Sequence, residues 1–354
     1  MKHFILWAGL WLVFLLPTQA QSWQQLNTET YPGKQDDIFF VNEQTGWYVN
    51  GYGKIFKTQD AGKTWQLQWS QKGSFFRCIA FLDSLHGYAG TVGTDYFPNV
   101  QDTIPLYRTR DGGKTWSPVA YKGAYVKGLC AIDIVKEQYI QHGKTAYRHH
   151  IYAVGRVGSP AMMMVSHDDG ESFVSSSLNE QAQMLFDIKM FNKNEGIACA
   201  ASDADLTQSN ALILATKDGG KTWQKVYQSN RPFETTWKAS FPSRKVGYVT
   251  LQVYNPDAAN AKQQRVVKTT DGGATWQELP LCEDAQARPF GVGFLDELHG
   301  FVGTVNSGYE TKDGGLTWQK TFMGRACNKV RIHHEGKKVW GYAVGVEVLK
   351  LALQ

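Results

Sequence analysis

Short runs rich in aliphatic and aromatic residues recur along the chain, each separated from the next by turn-forming residues. The first group shows the layout, with strand-like runs at residues 38–41, 46–49, 54–57 and 65–68, and helical periodicity is essentially absent. Runs of this length that are bounded by Gly, Asp and Asn are typical of β-strands. The pattern therefore predicts an all-β protein built from units of four short strands.

An eight-residue motif, [ST]-x-D-x-G-x-[ST]-[WF], marks the turn between the third and fourth predicted strands. Its six copies place their Asp residues at intervals of 51, 57, 50, 53 and 42, namely Asp60, Asp111, Asp168, Asp218, Asp271 and Asp313. An Asp carboxylate can accept backbone N–H groups and close a turn, and the Gly two positions later can adopt a positive φ. These Asp residues are therefore predicted to be structural, and the regular spacing predicts a repeat fold.

The two ends of the chain share the strand pattern but lack the motif. Residues 329–353 contain strands, and residues 22–26 resemble the fourth strands of other units. We expect both ends to form one blade with the N-terminal segment as its outermost strand, because this closure protects the sheet edges. WD and Kelch repeats fit less well, since the G-H and W-D signatures are missing and the Gly-Gly pairs lie inside Asp-containing turns. The sequence predicts a seven-bladed β-propeller of four-stranded blades, in one domain spanning residues 21–354.

The N-terminus has the pattern of a secretory signal peptide. Lys2 precedes an uncharged apolar run at residues 4–16, and Ala20 ends a segment that suits cleavage. The run is shorter than the roughly 20 residues that a membrane span needs, and no later stretch is long and apolar enough. We expect residues 1–20 to be removed, leaving a monomeric, extracytoplasmic protein, periplasmic or secreted, without a transmembrane segment.

Net charge and cysteine content limit the partners and the disulfides that we expect. The formal net charge of +5 is a mild bias and does not predict a nucleic-acid partner. Five cysteines leave at least one thiol free. Cys282 and Cys327, in predicted loops between repeats, form the one pair that we consider for a disulfide.

The repeats resemble the Asp boxes, or BNR repeats, of sialidases, sortilin-type receptors and photosystem II assembly-factor-like propellers. The resemblance is closest to the last family, in which G-W-x-V-G is followed by G-x-I-x-K-T-x-D-G-G-x-T-W. Residues 46–49 and 55–65 carry this phrase here. The resemblance spans nearly the whole mature chain, and it implies an Asp-box propeller that recognises a protein partner during assembly. It does not define a ligand, because function resides in sites built on the fold.

The candidate site is predicted on the face opposite the Asp boxes. The insertions at residues 93–105 and 254–264 are predicted to join second and third strands, which places them on that face. The position of the extra length at residues 136–150 and 155–161 stays open. Long loops on a rigid scaffold usually carry binding. Basic and aromatic residues are expected to line the channel mouth and to suit carboxylates or acidic glycans, namely Arg77, Lys127, Trp237, Lys238, Arg288, Phe290 and Arg331. The alternative is a set of solvated charges over packed aromatic rings.

Catalytic signals are weak. Sialidases use three arginines, the first in an R-I-P-like motif before the first box, whereas this chain has no Arg between residues 21 and 77. We therefore assign no catalytic residue, no metal ligand and no cofactor. The sequence favours a non-catalytic binding or assembly-factor-like propeller whose partner is a protein or an acidic glycan or peptide. The alternative is a sialidase-like glycoside hydrolase or a carbohydrate-binding propeller.

Overall fold

The computed structural model describes residues 23–336 and 338–352, and the strands of these residues form seven separate sheets. Six sheets have four strands and one has five. Strands that follow one another in the chain are hydrogen-bonded side by side, as in a propeller blade. Two edge strands are the exceptions, because residues 23–25 and 122–123 each pair with the last strand of the blade that they complete. The predicted all-β, seven-bladed propeller is confirmed. The one helix among the described residues has four residues.

The strands follow in chain order. The N-terminal strand is β1 (Trp23–Gln25). Blade 1 comprises β2 (Gln35–Phe40), β3 (Gly46–Asn50), β4 (Lys54–Thr58) and β5 (Gln66–Ser70). Blade 2 comprises β6 (Phe76–Phe81), β7 (Gly87–Thr91), β8 (Leu106–Thr109) and β9 (Ser117–Pro118). Blade 3 comprises β10 (Lys122–Gly123), β11 (Ala131–Gln141), β12 (Lys144–Gly155), β13 (Met162–Ser166) and β14 (Val174–Ser177).

The remaining four blades continue the same order. Blade 4 comprises β15 (Met184–Met190), β16 (Gly196–Ala201), β17 (Ala211–Thr216) and β18 (Gln224–Gln228). Blade 5 comprises β19 (Glu234–Ser240), β20 (Gly247–Val253), α1 (Ala258–Ala261), β21 (Gln263–Thr269) and β22 (Gln277–Glu283). Blade 6 comprises β23 (Pro289–Phe294), β24 (Gly300–Thr304), β25 (Gly308–Thr311) and β26 (Gln319–Thr321). Blade 7 comprises β27 (Lys329–Glu335), β28 (Lys338–Val344) and β29 (Val348–Ala352), with β1 at its edge.

The N-terminal strand closes the ring, as predicted. Strand β1 pairs antiparallel with β29, with Trp23 opposite Leu351. The Trp23 ring packs edge-on against Phe301 of blade 6, with 5.2 Å between centroids. Blade 7 is therefore completed by residues from both ends of the described chain. The predicted signal peptide lies outside the described residues.

All six Asp boxes form the same hydrogen-bonded turn. In the last box, Thr311 Oγ1 donates to Asp313 Oδ1 at 2.8 Å and accepts from the Gly315 amide at 2.9 Å. The Thr317 amide donates to Asp313 Oδ1 and its hydroxyl donates to Oδ2, at 2.9 and 2.6 Å. These bonds to Thr317 lower the pKa of Asp313 to about 2. The same four contacts recur in the other five boxes.

The boxes also bond to neighbouring blades. In blade 6, the carbonyl of Gly314 accepts hydrogen bonds from two blade 5 side chains, Tyr248 Oη at 3.1 Å and Lys268 Nζ at 2.9 Å. Trp47 and Lys57 of blade 1 make the equivalent bonds to Gly112 of blade 2. These box turns thus hold a glycine carbonyl where side chains of the preceding blade donate hydrogen bonds to it.

Blade 3 carries the longest hairpin, which we call the ribbon (residues 136–149). It extends β11 and β12, which pair continuously from Ala131–Val154 out to Gln141–Lys144. Because it joins the first and second strands of its blade, it rises from the Asp-box face. Residues 155–161 instead join second and third strands and lie on the opposite face. The sequence did not predict on which face the extra residues of this blade lie. The structure places the ribbon on the Asp-box face and residues 155–161 on the opposite face.

The cysteines are all free thiols. Four are buried, and Cys282 is half-buried. The considered bridge between Cys282 and Cys327 is wrong, because Cys327 packs inside the blade 6–blade 7 core while Cys282 packs against the core between blades 5 and 6.

The buried hydroxyl of the box predicts a measurable stability loss. Thr311→Val keeps the side-chain shape but leaves the buried Gly315 amide without its acceptor, which costs about 1–3 kcal/mol. Urea denaturation measures this loss. Thr317→Val is the matched control in the same box, and since Thr317 is exposed, water replaces its bond and a smaller loss is expected. Equal losses in the two variants would contradict the assignment.

Candidate functional site

The first strands of five blades carry an extra residue near their beginning. The register shifts lie between Gln35 and Asp37, Phe76 and Cys78, Leu185 and Asp187, Thr236 and Ala239, and Pro289 and Val292. Bulges of this kind redirect side chains out of the ladder. The side chains at these bulges meet in the central channel.

Five of these bulge residues form a group that we call the plug: Asp36, Arg77, Phe186, Trp237 and Phe290. The Trp237 ring lies 4.8 Å from the Phe186 ring and 6.0 Å from the Phe290 ring. The Arg77 guanidinium lies 5.4 Å from the Trp237 ring and bonds to Asp36. Burial alone would lower the pKa of Arg77, but the Asp36 carboxylate outweighs it and raises the pKa. Because the five residues come from five blades, the plug crosses the channel.

The seven predicted binding residues divide into three levels. Arg77, Trp237 and Phe290 belong to the plug. Lys238 and Arg331 lie in the channel on its Asp-box side and pair with Asp187 and Asp37. Lys127 and Arg288 lie on the opposite face, where Lys127 pairs with Asp95 and the Arg288 guanidinium stacks 4.4 Å from the Tyr254 ring. The structure thus brings five of the seven into the channel, and the three charged members of those five each pair with a carboxylate.

Aromatic rings cover the plug on the face opposite the Asp boxes. We call this group the aromatic platform: Tyr31, Tyr52, Phe75, Tyr96, Phe97 and Tyr254. Tyr31 and Tyr52 lie 4.7 Å apart, Phe75 stacks on Phe97 at 4.4 Å, and Phe97 meets Tyr96 at 4.8 Å. Tyr52 and Tyr96 expose 51% and 42% of their surface. The platform therefore presents ring faces to solvent above a closed channel.

The loops of the platform are held in place by specific contacts. Arg156 is 2% exposed, and it donates to the carbonyls of Val92, Thr94 and Ser159, each at 2.7 Å. This ties the 93–105 insertion to blade 3. A Cβ on Gly51 would lie 2.7 Å from the Phe75 ring, so only glycine admits the stacking there.

Sequence reasoning missed part of the platform. Tyr31 lies in the connection between β1 and β2, and Tyr52 lies in the tight turn between β3 and β4. Neither segment is an insertion or a basic cluster, so neither was singled out. The one available signal was an aromatic residue in each of two loops that the predicted ring brings to the same face.

A cavity of about 240 Å³, which we call the chamber, lies in the channel on the Asp-box side of the plug. Its wall includes residues from the first strands of blades 3 to 7. The charged ones are Asp133, Asp187, Lys189, Lys238, Lys329 and Arg331. The chamber reaches the surface beside His334 and Pro242, which lie at the Asp-box face. Burial, followed by the nearby Arg331 cation, lowers the pKa of Lys329 to about 8.

The channel carboxylates also hold the blades together. Asp37, Asp133 and Asp187 each accept a hydrogen bond from a backbone amide of the next blade, at 3.1, 2.7 and 3.1 Å. Each also pairs with a basic side chain. The three carboxylates therefore join neighbouring blades. Burial opposes ionisation of Asp37, but the Arg331 and Lys329 cations outweigh it and lower the pKa of that carboxyl. Within residues 23–336 and 338–352, no group of three or more His, Cys, Asp or Glu side chains is arranged to hold a metal ion.

Six identical box turns on a seven-bladed ring define this chain as an Asp-box β-propeller. The family model of the BNR/Asp-box repeat matches residues 107–118. No curated protein matches the chain. In the described part of the chain, no helix has both the length and the apolar character needed to cross a bilayer.

Solved structures share the fold. A structure of YCF48 bound to D1 peptide is 14% identical, covers 96% of this chain and 99% of its own, and has a TM-score of 0.63. YCF48 from Cyanidioschyzon merolae is 16% identical over 94% and 99%, with a TM-score of 0.63. The Niastella koreensis GH74 enzyme is 14% identical over 88% of this chain and 51% of that chain, with a TM-score of 0.56. The predicted resemblance to assembly-factor-like Asp-box propellers is confirmed, and at these identities the likeness establishes the fold alone.

A histidine in the chamber wall predicts a pH effect on stability. His333 stacks 5.5 Å from Trp340, and burial, followed by the Arg331 cation and the neighbouring His334, lowers its pKa from 6.5 to about 4. The unfolded chain takes up this proton near pH 6.5, whereas the folded chain takes it up only near pH 4. His333 therefore makes the free energy of unfolding fall as pH drops from about 6.5 to about 4.

The matching experiment uses urea denaturation at pH 7, 5.5 and 4.5. His333→Phe should show a shallower loss of stability over this range than the wild type. His142→Asn, which changes an exposed histidine in the turn of the ribbon, should follow the wild type. Superimposable curves for His333→Phe and the wild type would refute the role of His333.

Proposed function

We propose that this chain is a non-catalytic binding propeller whose partner is a protein that places an exposed segment on the aromatic platform. The observation that carries the proposal is the group of half-exposed rings next to Arg288 on rigid loops. Aromatic and Arg side chains dominate the binding energy of protein interfaces. The site lies on the face opposite the Asp boxes.

Rigidity supports this role. Arg156 holds the 93–105 loop through three carbonyls, and the stacked pair of Phe75 and Phe97 joins that loop to the connection between blades 1 and 2. A surface that is already ordered loses little conformational freedom when a partner binds. The platform therefore suits recognition of a flexible segment, which alone would become ordered.

Two buried donors point to the polarity of the partner. Arg288 Nε and Trp237 Nε1 are buried without a hydrogen-bond partner among the described atoms. Unpaired N–H groups leave positive partial charge beneath the platform, which negative charge on a bound segment would stabilise. The Lys127 side chain, 28% exposed, adds a cation on the same face. An acidic peptide is the favoured ligand, and an acidic glycan offers the same negative charge.

The structural comparison supports a peptide ligand. YCF48, which has the same fold, has been solved with a D1 peptide bound. By this likeness we infer an assembly-factor-like role for the present chain, in which it holds a segment of another protein. The N-terminal sequence supports an extracytoplasmic location, and we propose that the chain works there as a monomer.

A glycoside hydrolase is the alternative function. The GH74 enzyme with this fold is a longer chain, of which the present chain covers 51%. The channel carboxylates here bond to neighbouring strands and basic side chains, which disfavours a general acid. Incubation with a panel of glycans should release no sugar, and release that depends on Asp133 or Asp187 would favour the hydrolase.

Photo-crosslinking tests the platform. We expect a photoreactive amino acid at Tyr96 to capture a partner in host extracts. The same amino acid at Tyr147, a matched tyrosine on the ribbon that is 51% exposed, should capture nothing. Capture from Tyr147 alone would move the interface to the Asp-box face and contradict the proposal.

Affinity measurements with the captured partner complete the test. Tyr96→Ala combined with Arg288→Ala should weaken binding by about tenfold or more, which corresponds to about 1.4 kcal/mol. Tyr147→Ala should leave the affinity unchanged. Unchanged affinity in the folded platform variant would refute the platform as the binding surface.

A further inference from the structure

The chamber contains more positive than negative charge. Its four cations are Lys189, Lys238, Lys329 and Arg331. They pair with only three carboxylates, because Lys189 meets Asp133, Lys238 meets Asp187, and Lys329 and Arg331 share Asp37. The cluster of Lys329, Arg331 and Asp37 therefore keeps one net positive charge, on a buried lysine and a partly buried arginine. A buried charge in this position is costly unless another anion compensates it.

Asp37 cannot supply the missing acceptor. Its Oδ1 accepts from Arg331 Nε at 3.0 Å and from the Ile38 amide at 2.8 Å. Its Oδ2 accepts from Lys329 Nζ at 2.9 Å, Arg331 Nη2 at 2.9 Å and the Ile79 amide at 3.1 Å. Five donors occupy its two oxygens, so its hydrogen-bonding capacity is filled.

Lys329 keeps donors that face the chamber. The residue is 7% exposed, and among the described residues its ammonium group has one hydrogen-bond acceptor, Asp37. An ammonium group carries three N–H donors. Two donors on a side chain more than nine-tenths buried therefore lack a protein acceptor, while Lys329 and Arg331 both line the cavity.

We propose that the chamber binds a small multivalent anion, a carboxylate or a phosphate, through Lys329 and Arg331. The anion enters from the Asp-box face past Lys189, whose side chain is 42% exposed. It compensates the extra positive charge and accepts the remaining donors of Lys329. The volume of about 240 Å³ admits a small molecule, not a folded segment. This site lies on the other side of the plug from the aromatic platform and is independent of it.

Isothermal titration calorimetry with inorganic phosphate and with succinate tests the chamber at pH 7, with ionic strength held constant by sodium chloride. We expect one saturable site for at least one of the two anions. Arg331→Gln leaves three chamber cations and the three carboxylates that pair with them. It should weaken binding by at least about tenfold, since charge-assisted contacts are lost. Lys189→Gln, at the exposed entrance, should weaken it less and gives a second variant if Arg331→Gln fails to fold.

Lys217→Gln is the matched control, because Lys217 is exposed on the same face but lines a different cavity. Its affinity should equal that of the wild type. Weak, non-saturating heats with both anions would overturn the proposal, as would equal affinity in wild type and Arg331→Gln. Saturable binding of an acidic peptide, with no binding of either free anion, would also overturn it.

Proton uptake on anion binding distinguishes a ligand role of Lys329 from a purely structural role, which would not change its protonation. Because Lys329 has a pKa of about 8, a bound anion should raise that pKa and draw in a fraction of a proton at pH 8. Succinate titrations in two buffers with different ionisation enthalpies measure this uptake. It should be clear at pH 8 and much smaller at pH 7, and the absence of uptake at pH 8 would exclude Lys329 as a ligand.

Discussion

The hydrogen-bonded turn of the Asp box is the interaction on which the ring depends. A propeller has no single core, so each blade must be fixed to the next one. The Asp carboxylate and the buried Thr hydroxyl lock the turn, as in Asp313 and Thr311. The locked turn then presents a glycine carbonyl to donors on the preceding blade, as Gly314 does for Tyr248 and Lys268. One local motif thus stabilises both a hairpin and a blade interface.

The channel is asymmetric because of the bulges in the first strands. Bulge residues from five blades meet around Trp237 and separate two environments. On one side, exposed rings lie on braced loops and suit a protein partner. On the other side, buried charges surround a small cavity and suit an anion. The two sites that we propose on this ring therefore differ in chemistry, and neither uses the box carboxylates.

Much of the fold could be predicted, and the candidate site only in part. The box motif predicted six blades, because its hydrogen bonds form within one repeated unit. The strand patterns at the two ends of the chain predicted the seventh blade. The site was harder because it combines residues from separate blades. Tyr31 and Tyr52, for example, become neighbours only because the connection after β1 packs against the turn between β3 and β4 in the folded ring. The Lys136–His149 segment had no assigned face until β11 and β12 were seen to pair along its whole length.

The sequence by itself determined the turn, the strand pattern, the blade count and the closure. The eight-residue motif and its spacing encode the turns and six blades, and the strand patterns at the two ends of the chain encode the seventh blade. Only the tertiary structure decided which charged side chains are already paired within the protein and which are free to contact a ligand. Arg77 and Arg331 belonged to a predicted basic mouth, yet each meets a carboxylate of another blade. Arg331 and its partner Asp37 are 294 positions apart in the chain. No local pattern reveals such a pair, because its strength depends on distance through space and on burial in the closed ring.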